Sequence, residues 1–190
     1  MKKAVILNGM HPGEGMTATV QGMLTQGLEE ASWEVEPYVL HETVVKPCLG
    51  CFGCWLETPG RCVMHDADDV AAVVARSDLV VYLSPVTFGG YSSHLKKVID
   101  RMIFLILPFF LRVDGETHHV PRYKDRANLL FVGVTEEPDP ESEEIFPALA
   151  EGNAINMSAP RWAADVIVES EGDGAAREAV ARLLRKVEVG

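Results

Sequence analysis

Long apolar runs are missing from this chain of 190 residues. The longest, Met102–Leu111, has ten residues with Pro108 inside, which is too short to span a bilayer as a helix. At the amino terminus, Met-Lys-Lys leads into the four apolar residues Ala4–Leu7 and then into Asn-Gly, a pattern typical of a first β-strand rather than of an export signal. We therefore expect a cytoplasmic protein with no membrane partner.

Positive charge is also scarce. Lys and Arg number 17 against 28 Asp and Glu, which gives a formal net charge of -11. A surface of this sign repels phosphate backbones, so nucleic acid is not an expected partner. Charged residues make up 24% of the chain and no linker or repeat interrupts it, so we expect one folded domain over residues 1–190.

Cysteine is confined to one short segment. All four cysteines fall within the fifteen residues Cys48–Cys62, inside an irregular, cysteine-rich loop predicted over residues 41–65. In a reducing compartment such a group indicates metal ligands, redox-active thiols or buried thiols rather than structural disulfides.

Strand and helix patterns alternate five times along the chain. The predicted strands are residues 3–8, 35–40, 79–83, 129–134 and 164–168, and the predicted helices are 16–31, 67–76, 92–106, 141–152 and 175–187. The strands are apolar throughout, which is typical of a parallel sheet covered on both faces. The fold predicted is therefore α/β, a flavodoxin-like three-layer sandwich with a five-stranded parallel sheet in the order 2-1-3-4-5. In that order a ligand binds at the carboxyl ends of strands 1 and 3.

The loop over residues 9–17 follows the first strand and resembles a phosphate-binding turn. It lacks the lysine of the triphosphate-binding motif, where Met16 stands, and its glycine spacing is not that of the dinucleotide motif. Glycine amides and a helix N-terminus suit a single phosphate, such as that of FMN, although an ordinary strand-to-helix connection is the alternative. The candidate cofactor-binding residues here are Gly9, Met10, His11, Gly15, Met16, Thr17 and Ala18.

A second loop, predicted over residues 84–91, follows the central strand at the same edge. It brings hydroxyls, two aromatic rings and two glycines that permit close backbone approach to a flat ligand. The alternative interpretation is that Phe88 and Tyr91 pack within the protein and do not contact a ligand. The candidate flavin-binding residues here are Pro85, Val86, Thr87, Phe88, Gly89 and Gly90.

With these segments the chain resembles the NADPH-dependent FMN reductases, and within them the iron–sulfur flavoproteins. The resemblance rests on Gly9–Ala18, on Pro47–Cys62 with Asp66 beyond, and on Ser84–Arg101. It departs in the first loop, because members of this group usually carry Gly-Ser-Pro-Arg and Gly-Asn-Thr where this chain has Gly-Met-His-Pro and Gly-Met-Thr.

The cysteine spacing is C-x2-C-x2-C-x7-C, formed by Cys48, Cys51, Cys54 and Cys62. Short spacings followed by a more distant cysteine suit an iron–sulfur cube. Metal-free thiols, a zinc site and a disulfide are the alternatives. The resemblance implies a [4Fe-4S] cluster that exchanges electrons with FMN.

The expected activity is that of an oxidoreductase supplied by NAD(P)H or by a ferredoxin-like protein. A cluster-free NAD(P)H-dependent reductase of flavin or quinone is one alternative, and a non-enzymatic electron carrier or thiol sensor is another. The apolar stretch Ile103–Leu111 exceeds what one helix face buries, so a homodimer or homotetramer is expected. No catalytic side chain stands out, the six histidines suggest no metal triad, and Asp66, Asp68 and Asp69 are expected only to favour a helix start.

Overall fold

Five parallel strands make up the central sheet, in the order β2-β1-β3-β7-β8. The structure is a computed structural model that describes residues 1–13, 15–113 and 115–189. Its strands are β1 (Lys3–Asn8), β2 (Glu34–Val39), β3 (Leu79–Thr87), β4 (Gly90–Tyr91), β5 (Ile106–Val113), β6 (Glu116–Pro121), β7 (Asn128–Thr135) and β8 (Trp162–Val168). Its helices are α1 (Gly15–Glu30), α2 (Gly53–Leu56), α3 (Asp68–Arg76), α4 (Ser93–Arg101), α5 (Pro140–Asn156) and α6 (Gly172–Lys186).

This order confirms the predicted flavodoxin-like fold, with β7 and β8 in the places of predicted strands 4 and 5. Because β1 pairs in parallel with both β2 and β3, the winding of the chain reverses direction at β1. Apolar side chains cover both faces of the sheet. One core lies under α1 and α6, and the other lies under α3, α4 and α5.

Several predicted boundaries need correction. The helix predicted over residues 92–106 is wrong beyond Arg101, where α4 ends and a 3-10 turn over Met102–Leu105 follows. The last helix begins at Gly172, so Gly174 lies inside it rather than in a break before it. The loop over residues 41–65 is mostly irregular, as predicted, but contains the single-turn helix α2.

The segment over residues 107–126, predicted to have no regular structure, contains most of a β-hairpin. Strands β5 and β6 pair antiparallel with an irregularity between Ile106 and Phe110. This irregularity interrupts the alternation of side chains between the two faces, which is the pattern by which a strand is recognised in a sequence. Phe109 and Phe110 on β5 are exposed, so the apolar stretch does not continue into this chain's own core. Within the described parts of the chain, no helix is long and apolar enough to cross a membrane.

Candidate functional site

The two predicted binding loops meet at the carboxyl ends of β1 and β3. The Gly9 amide donates a hydrogen bond to the carbonyl oxygen of Leu83 at 2.8 Å. The Ser92 hydroxyl donates to the carbonyl oxygen of Gly9 at 2.6 Å, and the Ser92 amide donates to the hydroxyl of Ser84 at 2.8 Å. The sheet therefore brings the first and second loops together as the strand order predicted.

Glycine is required at position 9 because the start of α4 packs closely against it. A Cβ atom on this residue would lie 2.6 Å from the Ser92 hydroxyl oxygen and 2.7 Å from the Leu95 Cβ. No side chain fits without moving the start of α4 away from β1. Gly9 thus controls the spacing between the two loops.

Asn8 shapes the first loop and was not predicted as a site residue. Its buried side-chain amide donates to Gln21 at 2.8 Å, and its carbonyl oxygen accepts from the Met10 amide at 2.9 Å. The Gly9 and Met10 amides therefore already donate within the protein and are not spare donors for a phosphate. The signal in the sequence was a polar residue at the end of a wholly apolar strand.

The remaining residues predicted for the first loop lie at the start of α1. Gly15, Met16, Thr17 and Ala18 form its first turn, where backbone N–H groups have no intrahelical acceptor. The Thr17 side chain is buried, whereas the Met16 side chain packs on the apolar core below. The helix N-terminus is thus the part of the predicted set that can offer donors to an anion.

Three histidines gather beside this loop, although the sequence suggested no histidine cluster. The ring centroids of His11 and His94 are 5.2 Å apart, and those of His41 and His94 are 6.2 Å apart. The Nδ1 atom of His41 lies 3.2 Å from the carbonyl oxygen of Met10. The three residues come from the ends of β1 and β2 and from the first turn of α4, so only the strand order brings them together.

The second predicted loop is a tight hairpin rather than an open loop. Strand β3 continues to Thr87, and Thr87 pairs with Gly90 of β4 across the two-residue turn Phe88-Gly89. Both turn residues have positive φ, 50° and 73°, which is the geometry of a type I′ turn. Pro85, Val86 and Thr87 therefore belong to the end of a strand.

Phe88 is fully exposed at the tip of this hairpin, in a left-handed conformation that costs free energy for a residue with a Cβ. Tyr91 is different, because its ring is buried against Phe131 and Phe146 and its hydroxyl oxygen accepts from Asn153 at 3.0 Å. Burial raises the pKa of Tyr91 to about 12. Of the two aromatic residues, Tyr91 is therefore a packing residue, and Phe88 is the one whose ring is exposed.

The cysteines surround a single small cavity. The four residues that line it with their thiols are Cys48, Cys51, Cys54 and Cys62. Cys54 is buried and Cys51 is exposed. Burial, and then the charges of the other three cysteines, raise the pKa of the Cys54 thiol. Among the described residues, no three His, Cys, Asp or Glu side chains are already arranged as a metal-ion ligand set.

The rest of this cavity includes a buried cation that the sequence reading did not single out. Arg101, in the last turn of α4, has a relative exposure of 1% and lines the cavity with Met64. Its guanidinium donates to the Lys46 carbonyl oxygen at 2.9 Å and forms an ion pair with Asp66. Asp66 was predicted only to favour a helix start, whereas Asp68 and Asp69 do lie in the first turn of α3.

The cysteine cavity and the edge formed by the two loops lie at opposite ends of α4. Ser92 caps the helix at the edge and Arg101 ends it at the cavity. Nine helical residues at 1.5 Å each separate the two places by roughly 13 Å. The cysteine loop nevertheless starts at the edge, because His41 lies against the first loop. Trp55 anchors its far part by donating to the Ile106 carbonyl oxygen at 2.9 Å.

A family model described as NADPH-dependent FMN reductase matches residues 1–165. This is the group that the sequence motifs resemble. An iron–sulfur flavoprotein of Methanocaldococcus jannaschii is 32% identical over 111 residues, which cover 58% of this chain and 56% of that protein. One of Archaeoglobus fulgidus is 30% identical over 102 residues, which cover 53% of this chain and 46% of that protein. The chain thus spans about half the length of the curated relatives it matches.

Solved structures share the fold at low sequence identity. An NAD(P)H:quinone oxidoreductase from Methanothermobacter marburgensis superposes with a TM-score of 0.69 at 14% identity, covering 97% of this chain and 94% of that one. An FMN-dependent NADH-azoreductase from Bacillus anthracis, in complex with FMN, superposes with a TM-score of 0.68 at 13% identity, covering 99% and 100%. At these identities the likeness concerns the fold alone.

Proposed function

Because this chain belongs to the NADPH-dependent FMN reductase family, we propose that it is an oxidoreductase that binds FMN where its two loops meet. The observation that carries the proposal is the pair of hydrogen bonds from Gly9 and Ser92, which brings a helix N-terminus and an exposed aromatic hairpin to one sheet edge at the switch point. When bound, FMN supplies electron transfer singly or as a hydride.

In this proposal the phosphate lies at the start of α1. The first-turn amides and the Thr17 hydroxyl would hold it, and the His11 ring of the same loop would offer a further polar contact. The ring system would lie against the hairpin, where Phe88 offers an exposed aromatic face. Gly89 and Gly90 instead face α5, because a Cβ on these residues would lie 3.0 Å from Ile145 and 3.6 Å from Leu149. Gly9 and Met10 contribute to the shape of the loop rather than through their amides.

We propose further that the cysteine loop holds a [4Fe-4S] cluster. The four thiols come from one loop, surround one cavity and are close enough for their charges to interact, which is the donor set that such a cluster takes. Both curated relatives carry the name iron–sulfur flavoprotein. When bound, the cluster supplies one-electron transfer.

The electron donor in this proposal is NAD(P)H or a ferredoxin-like protein. The description of the matching family, NADPH-dependent FMN reductase, favours the nicotinamide. A homodimer or homotetramer also remains our expectation, with the exposed Phe109 and Phe110 of β5 as its contact, and light scattering after size exclusion will measure it.

The deciding experiment is an anaerobic absorption spectrum of freshly purified protein with iron and acid-labile sulfide assayed on the same sample. Flavin bands with about four iron and four sulfide per chain would support the whole proposal. Flavin without iron would leave a cluster-free NAD(P)H-dependent reductase, or an electron carrier or thiol sensor if NAD(P)H is not oxidised in the presence of an acceptor. A protein that does not take up FMN would overturn the proposal.

A matched pair of variants separates the cluster from the fold. Cys54→Ala removes a buried thiol of the cavity, and Leu56→Ala truncates an exposed side chain two residues further along the same loop. We expect Cys54→Ala to lose most of its iron while it keeps FMN, and Leu56→Ala to keep both. Equal iron in the two variants would contradict the cysteine ligand set.

A further inference from the structure

Arg101 is a buried guanidinium that does not belong to the edge where FMN is proposed to bind. It lies at the other end of α4, and its side chain is among the largest that are fully buried. Burying a cation costs free energy unless its surroundings compensate for the lost water. The groups that surround Arg101 therefore indicate what the charge serves.

Its partners lie on two sides. The guanidinium donates to the Lys46 carbonyl oxygen at 2.9 Å and pairs with Asp66, whose other carboxylate oxygen accepts from the Lys46 amide at 2.9 Å. It also approaches the Met64 sulfur, at 3.6 Å. A guanidinium stays protonated in proteins, so the cation persists although it is buried.

The cation faces the cysteine cavity, and its counter-ion does not. Arg101 lines the cavity with the four cysteines, whereas Asp66 does not, and the Asp66 side chain is more exposed, at 18% against 1%. The pair therefore presents its positive end to the thiols. In addition, the Nε–H group of Arg101 is buried and has no hydrogen-bond acceptor among the described residues, which leaves one donor available to a ligand in the cavity.

We propose that the positive charge of Arg101 stabilises the reduced state of the cysteine site and so raises the reduction potential of the cluster. This inference rests on the cluster proposed above. The site gains one unit of negative charge when a one-electron donor, such as a ferredoxin-like protein, reduces it, and no proton is needed. A buried cation and a free N–H donor both stabilise that added charge, and cluster potentials depend on net charge and on hydrogen bonds to sulfur.

Arg101 and Asp66 carry opposite charges, so removing one charge or the other should shift the cluster potential in opposite directions. Arg101→Gln removes the cation and retains a polar side chain, Arg101→Lys retains the cation without its fork of donors, and Asp66→Asn removes the counter-ion. A general disturbance of the loop would move the potential in one direction for all three variants. The proposed electrostatic role predicts a lower potential for Arg101→Gln and a higher one for Asp66→Asn.

The test is an anaerobic redox titration of the full-length protein, followed by electron paramagnetic resonance for the cluster and by flavin absorbance as an internal reference. Iron per chain and the far-ultraviolet dichroism are measured on the same samples. We expect Arg101→Gln to lower the equilibrium constant for cluster reduction at least tenfold, which for one electron is about 59 mV. We expect Arg101→Lys, which keeps the charge but loses the Nε–H donor, to lower that constant less than Arg101→Gln does, and the FMN potential to change little in any variant.

The outcomes separate this inference from the proposed function. An unmodified protein without iron overturns the cluster and this inference together. Iron-loaded variants whose cluster potentials coincide, or shift in one direction, overturn the inference alone. If Arg101→Gln does not fold, Asp66→Asn decides, because a potential that does not rise in that variant contradicts the role given to the pair.

Discussion

Ser92 donates its hydroxyl proton to the carbonyl oxygen of Gly9 at 2.6 Å, joining the ends of two strands across 83 residues of sequence. The same hydroxyl oxygen accepts from the Leu95 amide at 3.3 Å and so caps α4. One buried side chain therefore determines both where the helix begins and how far it lies from the first loop.

Replacing Ser92 with alanine removes both interactions. Loss of the cap and of a buried hydrogen bond should lower the free energy of unfolding by about 2–3 kcal/mol and weaken FMN binding, because the two loops are no longer tied. Ser93→Ala, one residue further and exposed, is the matched control and should change little. Denaturant unfolding and flavin fluorescence titration measure the two effects, and equal behaviour of the two variants would contradict this role.

Gly9→Ala tests the close approach from the other side. The added methyl group must displace Leu95 and Ser92, which should cost about 1–3 kcal/mol of stability and reduce FMN affinity. Gly22→Ala, in the exposed middle of α1 with nothing within 4 Å of the new Cβ, should instead stabilise the protein by about 0.5–1 kcal/mol. Thermal unfolding with and without added FMN distinguishes the variants. A Gly9→Ala protein as stable as the unmodified one would show that the loops have room to separate.

Phe88→Asn tests whether the Phe88 side chain lowers the stability of the protein while it strengthens FMN binding. Asn tolerates the left-handed conformation and forms with Gly89 the dipeptide preferred in type I′ turns, so stability should rise by about 1 kcal/mol. FMN affinity should fall, because the exposed ring is lost. Phe109→Asn removes another exposed ring, from strand β5, and should neither raise stability nor change FMN binding. If affinity survives in Phe88→Asn, the ring does not contact the flavin.

The raised pKa of Tyr91 predicts that the protein loses stability at alkaline pH. Burial raises its pKa to about 12, whereas an unfolded tyrosine titrates near 10, so the unfolded state loses its proton first. The stabilising effect is complete below about pH 10 and is lost as the pH rises from there to about 12, at up to roughly 1.4 kcal/mol per pH unit. Tyr91→Phe should reduce this slope, and Tyr123→Phe, at an exposed position, should not. Unfolding free energies measured between pH 9 and 12 decide the point.

Much of the architecture followed from local patterns. The apolar runs Ala4–Leu7 and Leu79–Leu83 were recognisable because each residue there is buried on one face of the sheet or the other. The hairpin β5–β6 was missed because its irregular pairing breaks the period of two and because exposed phenylalanines resemble core residues in a sequence. Thr87-Phe88-Gly89-Gly90 was predicted as a loop because a phenylalanine with positive φ is an unfavoured choice for a tight turn.

The sequence by itself determined the strand order, the edge at which the loops meet and the family, since these depend on apolar periodicity, glycine placement and short motifs along neighbouring residues. The tertiary structure alone decided that His11, His41 and His94 form one cluster, and that Arg101 lies against the cysteine cavity with its positive end inward. The reason is physical. Periodicity reports which face of an element is buried, whereas the partner of a buried charge depends on how distant elements pack, and no local pattern records that.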